Sequence, residues 1–560
     1  MRATIAALGG YCLVAFLFFG LPLLAEPGKQ YLGEPNDPQI PIWSFAWWPH
    51  AILHGQNPFV THAVWAPVGV NLAWVNTIPP IALLAAPLTW TIGAIGAYNV
   101  AAVLLPAVSS WTAFLLCRHV TRRLWPSLFG GYVFGFSSYM LGHLSGQPQL
   151  TGVFLLPLVA LLVLRRVEGT LSPRAFVLWL GLVLGVQLYL ALEVGFTLTV
   201  ALACALVLAY LFVPDERRRL ARSVPAIAAA YAVAAVVASP ILYYALTDLR
   251  KTGFQPPEHF VADLANVVVP TRVEAAGAGW TRSIAAHFPA NNTERGAYLG
   301  VALLVLLCLY VWQQRRRAGT RFLAAALLLA LYASLGPHLT VAGHELIPLP
   351  TVFGHEALTL PGIGKTHLAL FNNILPIRFT VYFALAAAVI AAIWTARAPA
   401  GAAMALGGLS VLLLVPNPVA WRTTYSIPAF FTNARYRPCI PVGANVLPQP
   451  IGSGGDAMLW QVERAFRFRM AGGRLQTSPP SPFHHPQATA QIGVGYLPVR
   501  NQPQLLRAYA RRFGVSFAIV DERQARTWAP ALDRIAQRHE LGGVLLYPIG
   551  RSLPAGCPSA

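Results

Sequence analysis

Acidic and histidine side chains follow the first apolar segment of the sequence, in a stretch that is rich in tryptophan. Glu34 and Asp37 lie on either side of Pro35, and the stretch ends in His54-Gly55-Gln56-Asn57-Pro58-Phe59. A carboxylate at this point could accept a proton from a reacting hydroxyl or bind a divalent cation such as Mg²⁺ or Mn²⁺. The alternative is that Asp37 only caps the helix that begins after it.

Four further ionisable residues stand at predicted ends of apolar segments: His143, Glu193, Glu294 and Arg378. A charged group that ends a membrane span is costly, which favours a functional role for Glu193; a carboxylate at headgroup level that reaches water is the alternative. Arg378 suits bidentate contact with a phosphate, or it anchors its span at the interface. For His143 and Glu294 we predict ligand binding. The alternatives are a structural histidine held by hydrogen bonds and a glutamate in a solvated loop.

The composition indicates which elements must position these residues. Of 560 residues, 56% are hydrophobic and 11% are charged, and the mean hydropathy is +0.55. A soluble domain carries about 25% charged residues, so the sequence predicts an α-helical polytopic membrane protein. The net charge of +20 lies mostly in short arginine clusters between apolar segments, which indicates membrane topology and not nucleic-acid binding.

Eleven segments are apolar enough to be candidate spans, since a helix that crosses the bilayer needs roughly 20 residues. They are 5–25, 96–117, 125–143, 150–165, 175–193, 194–213, 224–246, 297–313, 321–336, 378–396 and 400–416. Arginine clusters occur in every second connection, and the positive-inside rule places those connections in the cytoplasm. The alternation holds if the proline-broken segment 78–93 is an interfacial or re-entrant helix.

This alternation predicts a bacterial inner-membrane protein with a cytoplasmic N-terminus. The first apolar segment is then an uncleaved helix and not a signal peptide. A transmembrane domain covers 1–416, and a soluble α/β domain covers 417–560 on the outer, periplasmic side. The other outer segments are the loops 26–77, 247–296 and 337–377. Most residues that could carry chemistry therefore lie on the outer face.

The predicted outer domain has its own pattern and a strong charge bias. Its predicted elements are strands at 515–521 and 544–548 and helices at 503–513 and 523–539. It holds sixteen arginines against six acidic residues, which favours an anionic glycan or lipid pyrophosphate as neighbour, or else attraction to anionic headgroups. Cys439 and Cys557 can pair if this domain is periplasmic, and the sequence leaves that pairing open.

Several motifs together resemble the GT-C superfamily of integral-membrane glycosyltransferases. The matching features are Asp37 after the first span, His54–Phe59, the PxGxN segment Pro67–Asn71, Gly135–Met140 with Gly142-His143, Glu193, Glu294–Gly300 and Arg378-Phe379. They cover most of residues 1–400. The likeness is greatest to the uncharacterised bacterial branch of that superfamily, which depends on polyprenyl-phosphate sugars.

The resemblance implies inverting transfer of a hexosyl or pentosyl group to an envelope glycan, lipid or protein acceptor. It implies that Asp37 is the catalytic carboxylate. Glu193 is the best candidate for a second catalytic carboxylate, because it is an ionisable group that ends a span. The residues expected to bind substrate are Glu34, His54, His143, Glu294 and Arg378. A divalent cation is optional in such a mechanism, because the leaving lipid phosphate is already anionic, and Asp37 would be its ligand.

Two other functions stay open. A transporter or flippase of a lipid-linked saccharide predicts inverted repeats and charged residues near the membrane midplane, and the sequence shows no internal repeat. A non-catalytic scaffold in envelope glycan assembly predicts that replacing Asp37 has no effect. The sequence has no Walker motif and no Ser/His/Asp arrangement at recognisable spacing, which argues against ATP-driven work.

Overall fold

The computed structural model describes residues 2–248, 259–348, 374–418, 420–452, 455–475 and 479–558. Most of the described chain is helical. In chain order the helices are α1 (Arg2–Ala15), α2 (Gln39–Leu53), α3 (Pro79–Leu84), α4 (Ala86–Thr121), α5 (Leu124–Gly135), α6 (Ser138–His143), α7 (Pro148–Thr151), α8 (Leu155–Val167), α9 (Pro173–Leu190), α10 (Leu192–Phe212), α11 (Arg217–Val237), α12 (Ser239–Thr247), α13 (Gly279–Ala285), α14 (Val301–Gln314), α15 (Ala318–Ser334), α16 (Thr380–Thr395), α17 (Ala400–Leu413), α18 (Ala429–Thr432), α19 (Ala457–Glu463), α20 (Ser481–His484), α21 (Gln487–Gly493), α22 (Gln502–Phe513) and α23 (Ala525–Leu532).

Short strands form one larger sheet and three two-stranded pairs within these ranges. The strands are β1 (Gln30–Leu32), β2 (Val60–Thr61), β3 (Val70–Asn71), β4 (His338–Val341), β5 (His344–Pro348), β6 (Arg422–Thr424), β7 (Asn445–Gln449), β8 (Arg469–Met470), β9 (Phe517–Asp521), β10 (His539–Leu541) and β11 (Val544–Pro548). The five-stranded sheet has the order β10-β11-β9-β7-β8. Its central strand β9 is antiparallel to β11 and parallel to β7.

Apolar helices long enough to cross a bilayer account for most of the predicted spans. Seven are Arg2–Ala25, Ala86–Thr121, Pro148–Val167, Pro173–Leu190, Leu192–Phe212, Pro214–Val237 and Pro376–Thr395. Three shorter apolar helices are Val301–Gln314, Ala318–Ser334 and Ala400–Leu413. The chain is therefore a multi-pass helical membrane protein that also carries a mixed sheet, which confirms the predicted fold class.

Two predicted spans are divided differently in the structure. The predicted span 125–143 is broken, because Ser137 accepts a hydrogen bond from the backbone N–H of Met140 and caps a new helix, α6. The prediction that Glu193 ends a span is wrong by a few residues. Ala191 is extended, with φ −160° and ψ 116°, so α9 stops before it and Glu193 lies in the first turn of α10. No proline marks either break.

The proline-broken segment 78–93 contains α3 and the start of α4. Ile78 precedes Pro79 in a left-handed conformation, with φ 40°. Gly93 interrupts α4 with φ 78° and ψ 165°, a conformation that an L-amino acid rarely adopts. The segment is therefore helical on both sides of a sharp bend at Gly93.

Two compact units divide the chain. Unit 1 comprises Met1–Ala25 and Val100–Trp421, and unit 2 comprises Glu26–Asn99 and Arg422–Ala560. The predicted first outer loop thus falls in unit 2 with the C-terminal segment. Of the other predicted outer loops, the parts 249–258 and 349–373 lie outside the described residues.

Unit 1 packs its helices closely through small residues. A methyl group added at Gly181 of α9 would lie 2.6 Å from Cβ of Val233 on α11. At Gly130 of α5 it would lie 3.0 Å from the carbonyl oxygen of Ala388 on α16. Close approach through small residues is the usual basis of helix association in membranes. The second contact holds α16, which begins shortly after Arg378.

Unit 2 is built around the buried strands β7 and β9. The predicted strands at 515–521 and 544–548 and the predicted helix at 503–513 are confirmed by β9, β11 and α22. The predicted helix at 523–539 is wrong in its second half. Helix α23 ends at Leu532. Residues from His539 onward instead form strand β10, which pairs with β11. Cys439 and Cys557, whose pairing the sequence left open, form a disulfide.

Candidate functional site

Arg378 is the centre of an ion-pair network in unit 1. Its Nη2 donates to Oε1 of Glu294 at 2.6 Å, and its Nε lies 3.3 Å from each oxygen of that carboxylate. Its Nη1 donates to Oε2 of Glu193. The side chains of Arg378 and Glu193 are 19% and 20% exposed, and Glu294 is 2% exposed. Three guanidinium nitrogens therefore make charge-assisted hydrogen bonds in a largely dry environment.

His143 extends the network through a hydrogen bond with Glu294. Its Nδ1 lies 2.7 Å from the carbonyl oxygen of Tyr139, which can only accept, so Nδ1 carries a proton. Its Nε2 lies 3.1 Å from Oε2 of Glu294. A second proton must lie between these two atoms, because two lone pairs would repel.

The pKa of Glu294 follows from these neighbours. Burial alone would raise the pKa of this carboxyl group, but the positive charges of Arg378 and His143 outweigh burial and hold the pKa well below its usual range. Glu294 is therefore ionised beside Arg378.

Four separate segments supply this network. His143 is the last residue of α6 and Glu193 is in the first turn of α10. Glu294 lies in the loop before α14, and Arg378 lies in the 3₁₀ turn Pro376–Phe379 directly before α16. The sequence predicted that all four stand at span ends on one common side. Their mutual hydrogen bonds agree with that common side.

The loop that carries Glu294 is held by its own polar side chains. Oδ1 of Asn291 accepts hydrogen bonds from the N–H and hydroxyl of Thr293 and from the N–H of Glu294. Nη2 of Arg295 donates to the carbonyl oxygen of Phe288 at 2.7 Å. A site held in this way needs little rearrangement when a ligand binds.

Sequence reasoning missed Tyr139, which contacts this network, and Glu274, a buried carboxyl group of unit 1. The Tyr139 hydroxyl is buried and makes no hydrogen bond within the described ranges; its ring centroid is 4.3 Å from that of His143. Glu274 is fully buried, and its Oε2 accepts from the N–H and hydroxyl of Thr271. Burial raises the pKa of Glu274. Tyr139 lies in a quoted motif, but nothing in that motif indicates its hydroxyl is unpaired.

Asp37, the predicted catalytic carboxylate, belongs to unit 2. Nη2 of Arg474 donates to its Oδ1 at 3.1 Å, with side-chain exposures of 31% for Arg474 and 41% for Asp37. Asp37 does not cap α2 with its side chain, because the N-cap residue is Pro38 and no side-chain cap bond forms. The capping alternative is therefore excluded, and the carboxylate is accessible to a ligand.

Gln39, two residues after Asp37, makes further polar contacts within unit 2. Nε2 of Gln39 donates to the Gly455 carbonyl and to Oδ1 of Asp456, whose Oδ2 accepts from the N–H of Ser426. Burial raises the pKa of Asp456. Neither Arg474 nor Asp456 had a recognisable signal in the sequence beyond the general arginine excess of the C-terminal segment. Only folding brings Arg474 to Asp37 and Asp456 to Gln39.

Glu34 and His54 occupy different parts of unit 2. Glu34 is half-buried in the bend before Asp37. His54 is exposed and follows the last residue of α2, where its Nδ1 donates to the carbonyl of His50 at 2.8 Å. Because α2 has 15 residues, His54 lies about 20 Å from Asp37 along the helix axis. The structure does not bring His54 to Asp37.

Comparison with solved structures identifies the fold. The arabinofuranosyltransferase AftD from Mycobacteria has a TM-score of 0.51 and 14% identity, covering 98% of this chain and 42% of that chain. The apo oligosaccharyltransferase of Archaeoglobus fulgidus has a TM-score of 0.49 and 12% identity, covering 99% and 75%. ArnT from Cupriavidus metallidurans, bound to undecaprenyl phosphate, has a TM-score of 0.48 and 11% identity, covering 99% and 99%. At these identities the likeness establishes the fold alone.

The helical membrane unit, the mixed sheet and the structural likeness define a multi-pass membrane protein with a GT-C-like fold, as the motifs predicted. A family model described as a domain of unknown function, DUF6311, matches residues 7–415. The chain belongs to that family. No curated protein matches it in sequence.

Proposed function

We propose that this protein is a membrane glycosyltransferase that transfers a hexosyl or pentosyl group from a polyprenyl-phosphate donor to an envelope glycan, lipid or protein. The observation that carries the proposal is the GT-C-like fold over 98% of the chain, which the arabinofuranosyltransferase AftD shares. A partly exposed carboxylate, Asp37, stands after the first span, where the resemblance expects the catalytic residue.

In this proposal Asp37 acts as the general base. It takes the proton of the acceptor hydroxyl, and the acceptor oxygen forms a bond to the anomeric carbon of the donor sugar. The bond from that carbon to the phosphate oxygen breaks, and the polyprenyl phosphate leaves with the electron pair. Attack from the face opposite the phosphate inverts the anomeric centre. Arg474, whose Nη2 lies 3.1 Å from Asp37, is available to hold a phosphate charge.

The Arg378 network has a positioning role in this proposal. It ties four span ends together, and Glu193 is its more exposed carboxylate. Glu193 can accept a hydrogen bond from a sugar hydroxyl without leaving Arg378, since each carboxylate oxygen has two acceptor positions. His143 and Glu294 are almost fully buried, so we assign them to fixing Arg378 and not to direct contact with sugar.

The side of the membrane also belongs to the proposal. Disulfides persist in oxidising compartments and are rare in the cytosol. The bond between Cys439 and Cys557 therefore supports a periplasmic location for unit 2. Arginine clusters in alternate connections support the same orientation, with the N-terminus in the cytoplasm of a bacterial inner membrane.

The described residues do not fit the optional divalent cation. They contain no group of three His, Cys, Asp or Glu side chains placed to hold a metal ion. Asp37 faces Arg474, and the carboxylates of Glu193 and Glu294 face Arg378. Each proposed step therefore uses only the side chains of this chain.

The test is the transfer activity of Asp37→Asn in membranes, with a pool of polyprenyl-phosphate sugars labelled on the sugar. Asp533→Asn is a matched control, because Asp533 is also an arginine-paired carboxylate of unit 2 and is 42% exposed. We expect Asp37→Asn to lose at least a hundredfold in transfer, the scale of one general base, at wild-type expression and donor binding. The Asp533→Asn variant should keep wild-type transfer.

Other outcomes separate the competing functions. Wild-type transfer by Asp37→Asn would remove Asp37 as the base. If the wild type transfers no sugar from any donor in the pool, the glycosyltransferase proposal fails, and movement of labelled lipid between leaflets would then favour a flippase. Neither activity would favour a scaffold.

A further inference from the structure

A basic cavity of about 500 Å³ lies in unit 1 between α4 and α8. It is lined by Leu115, Arg118, His119, Arg122, Leu161 and Arg165. The cavity is separate from the Arg378 network. The span Pro148–Val167 begins shortly after His143, and Arg165 is in its last turn, so the two sites are roughly 25 Å apart along this span.

The arginines of the basic cavity have no acidic partner in the part of the chain that the structure describes. The nearby carboxylate of Glu168 is taken by His119, whose Nε2 lies 2.7 Å from its Oε2. Arg118, Arg122 and Arg165 make no side-chain hydrogen bond or ion pair in the described ranges. Three guanidinium groups therefore converge on one space with their donors unused.

The helix dipoles do not account for all of this charge. Arg118 and Arg165 lie in the last turns of α4 and α8, where basic residues offset the helix dipole. Each helix C-terminus carries roughly half a negative charge. Two such ends together carry about one negative charge, against three positive charges. The cavity stays electropositive even after the charge of Glu168 is included.

We propose that the basic cavity binds a phosphate group. Guanidinium donors match phosphate oxygens in pairs, and an electropositive pocket between span ends suits an anionic lipid headgroup. Leu115 and Leu161 give the cavity an apolar wall. Either a phospholipid headgroup or free phosphate supplies this chemistry. The proposal is independent of sugar transfer, since it concerns other residues at another place in unit 1.

Binding is tested on the full chain in lipid nanodiscs. One arm uses phosphatidylcholine mixed with phosphatidylglycerol and measures phosphatidylglycerol retained by the protein with native mass spectrometry. The other arm uses phosphatidylcholine alone and titrates inorganic phosphate, followed by the rise in unfolding temperature that ligand binding produces. The cavity variant is Arg118→Gln/Arg122→Gln/Arg165→Gln. We expect its affinity to fall about a hundredfold, near fivefold for each arginine.

The matched control is Arg218→Gln/Arg222→Gln/Arg316→Gln. It removes the same charge from exposed arginines of other connections and should bind as the wild type does. Loss of phosphatidylglycerol retention alone identifies a lipid headgroup, and loss of the phosphate response alone identifies free phosphate; both support the site. Wild-type binding by the cavity variant, or equal loss in the control, overturns it. If the triple variant misfolds, Arg122→Gln, at an exposed residue, must still show the fivefold loss.

Discussion

Replacing Glu294 tests the charge arrangement of the Arg378 network. In Glu294→Ala, the Nη2 and Nε donors of Arg378 and the Nε2 of His143 lose their acceptor. Removing one partner of a buried ion pair costs about 3–5 kcal/mol. Because Arg378 is 19% exposed, water can reach it, and we expect a loss at the lower end, about 3 kcal/mol.

The Glu294→Gln variant makes the expectation sharper. Its amide oxygen can still accept from Arg378, and its NH₂ group can donate to Nε2 of His143. The loss is then that of the charge on the acceptor, about 1.5 kcal/mol. The order of stability should be wild type, Glu294→Gln, Glu294→Ala. Such an order indicates that Glu294 holds the network through its charge as well as through its hydrogen bonds.

The assay is thermal unfolding of the purified protein in detergent, with the variants compared at one pH. Glu168→Ala is the matched control, because Glu168 also pairs with a histidine, His119 at 2.7 Å, but is 38% exposed. Exposed pairs contribute at most about 1 kcal/mol. If Glu294→Ala is no less stable than Glu168→Ala, the network does not hold the span ends. If Glu294→Gln is as stable as the wild type, the charge of Glu294 does not stabilise the network.

The same network predicts a pH dependence. The pKa of Glu294 is held well below its usual range in the folded state, against about 4.3 in an unfolded chain. Its contribution to stability is therefore present above pH ~4.3 and is lost as the pH falls through the folded pKa. The stability difference between wild type and Glu294→Gln should persist to pH about 4 and shrink only in stronger acid.

Three further predictions concern other residues. Burial raises the folded pKa of Glu274, so native stability falls as pH rises above about 4.3; Glu274→Gln should be the more stable protein at pH about 7, an advantage that vanishes in acid unfolding curves. Replacing Cys439 and Cys557 by serine should destabilise unit 2 by about 2–5 kcal/mol, and reducing agent should then have no additional effect on unfolding. Gly142→Ala places a methyl group 2.5 Å from the Thr293 carbonyl, so it should lower the unfolding temperature, whereas Gly401→Ala, with open space around it, should not.

The helical architecture was predictable because long apolar runs leave few alternatives in a membrane protein. The breaks inside those runs were not. Ser137 caps α6 through one hydrogen bond, and no proline marks the turn at Ala191. In unit 2, β9 and β11 were visible as strand-length apolar runs. Strand β10 was missed, although Gly542-Gly543 is a two-residue hairpin turn that joins it to β11.

The residues of the candidate site could be predicted from the sequence, but the contacts between them could not. Four span-end residues were selected separately, and only packing shows that Glu294 joins His143 to Arg378 across sequence separations of 151 and 84. The partner of Asp37 was not predicted. Arg474 is 437 positions away and is one of many arginines in the C-terminal segment. Sequence spacing carries no information over such distances without related sequences.

These contacts change which arginine suits the phosphate of a donor. Arg378, selected for that role in the sequence, directs three nitrogens at two carboxylates, whose proximity weakens its attraction for the charge of a phosphate. Arg474 makes one contact with Asp37 at 3.1 Å between partly exposed side chains, and such pairs contribute about 0–1 kcal/mol. Exchange of Asp37 for a phosphate at Arg474 would also free the carboxylate to act as base.

The proposed glycosyl transfer therefore predicts different defects for the two arginines. Arg474→Gln should raise the KM for polyprenyl-phosphate sugar about tenfold, the value of one charge-assisted hydrogen bond, with an unchanged unfolding temperature. Arg378→Gln should lower the unfolding temperature, because it leaves Glu193 and Glu294 without their cation. If Arg474→Gln keeps the wild-type KM, Arg474 does not bind the phosphate of the donor. Arg378 would then again be the candidate for that role.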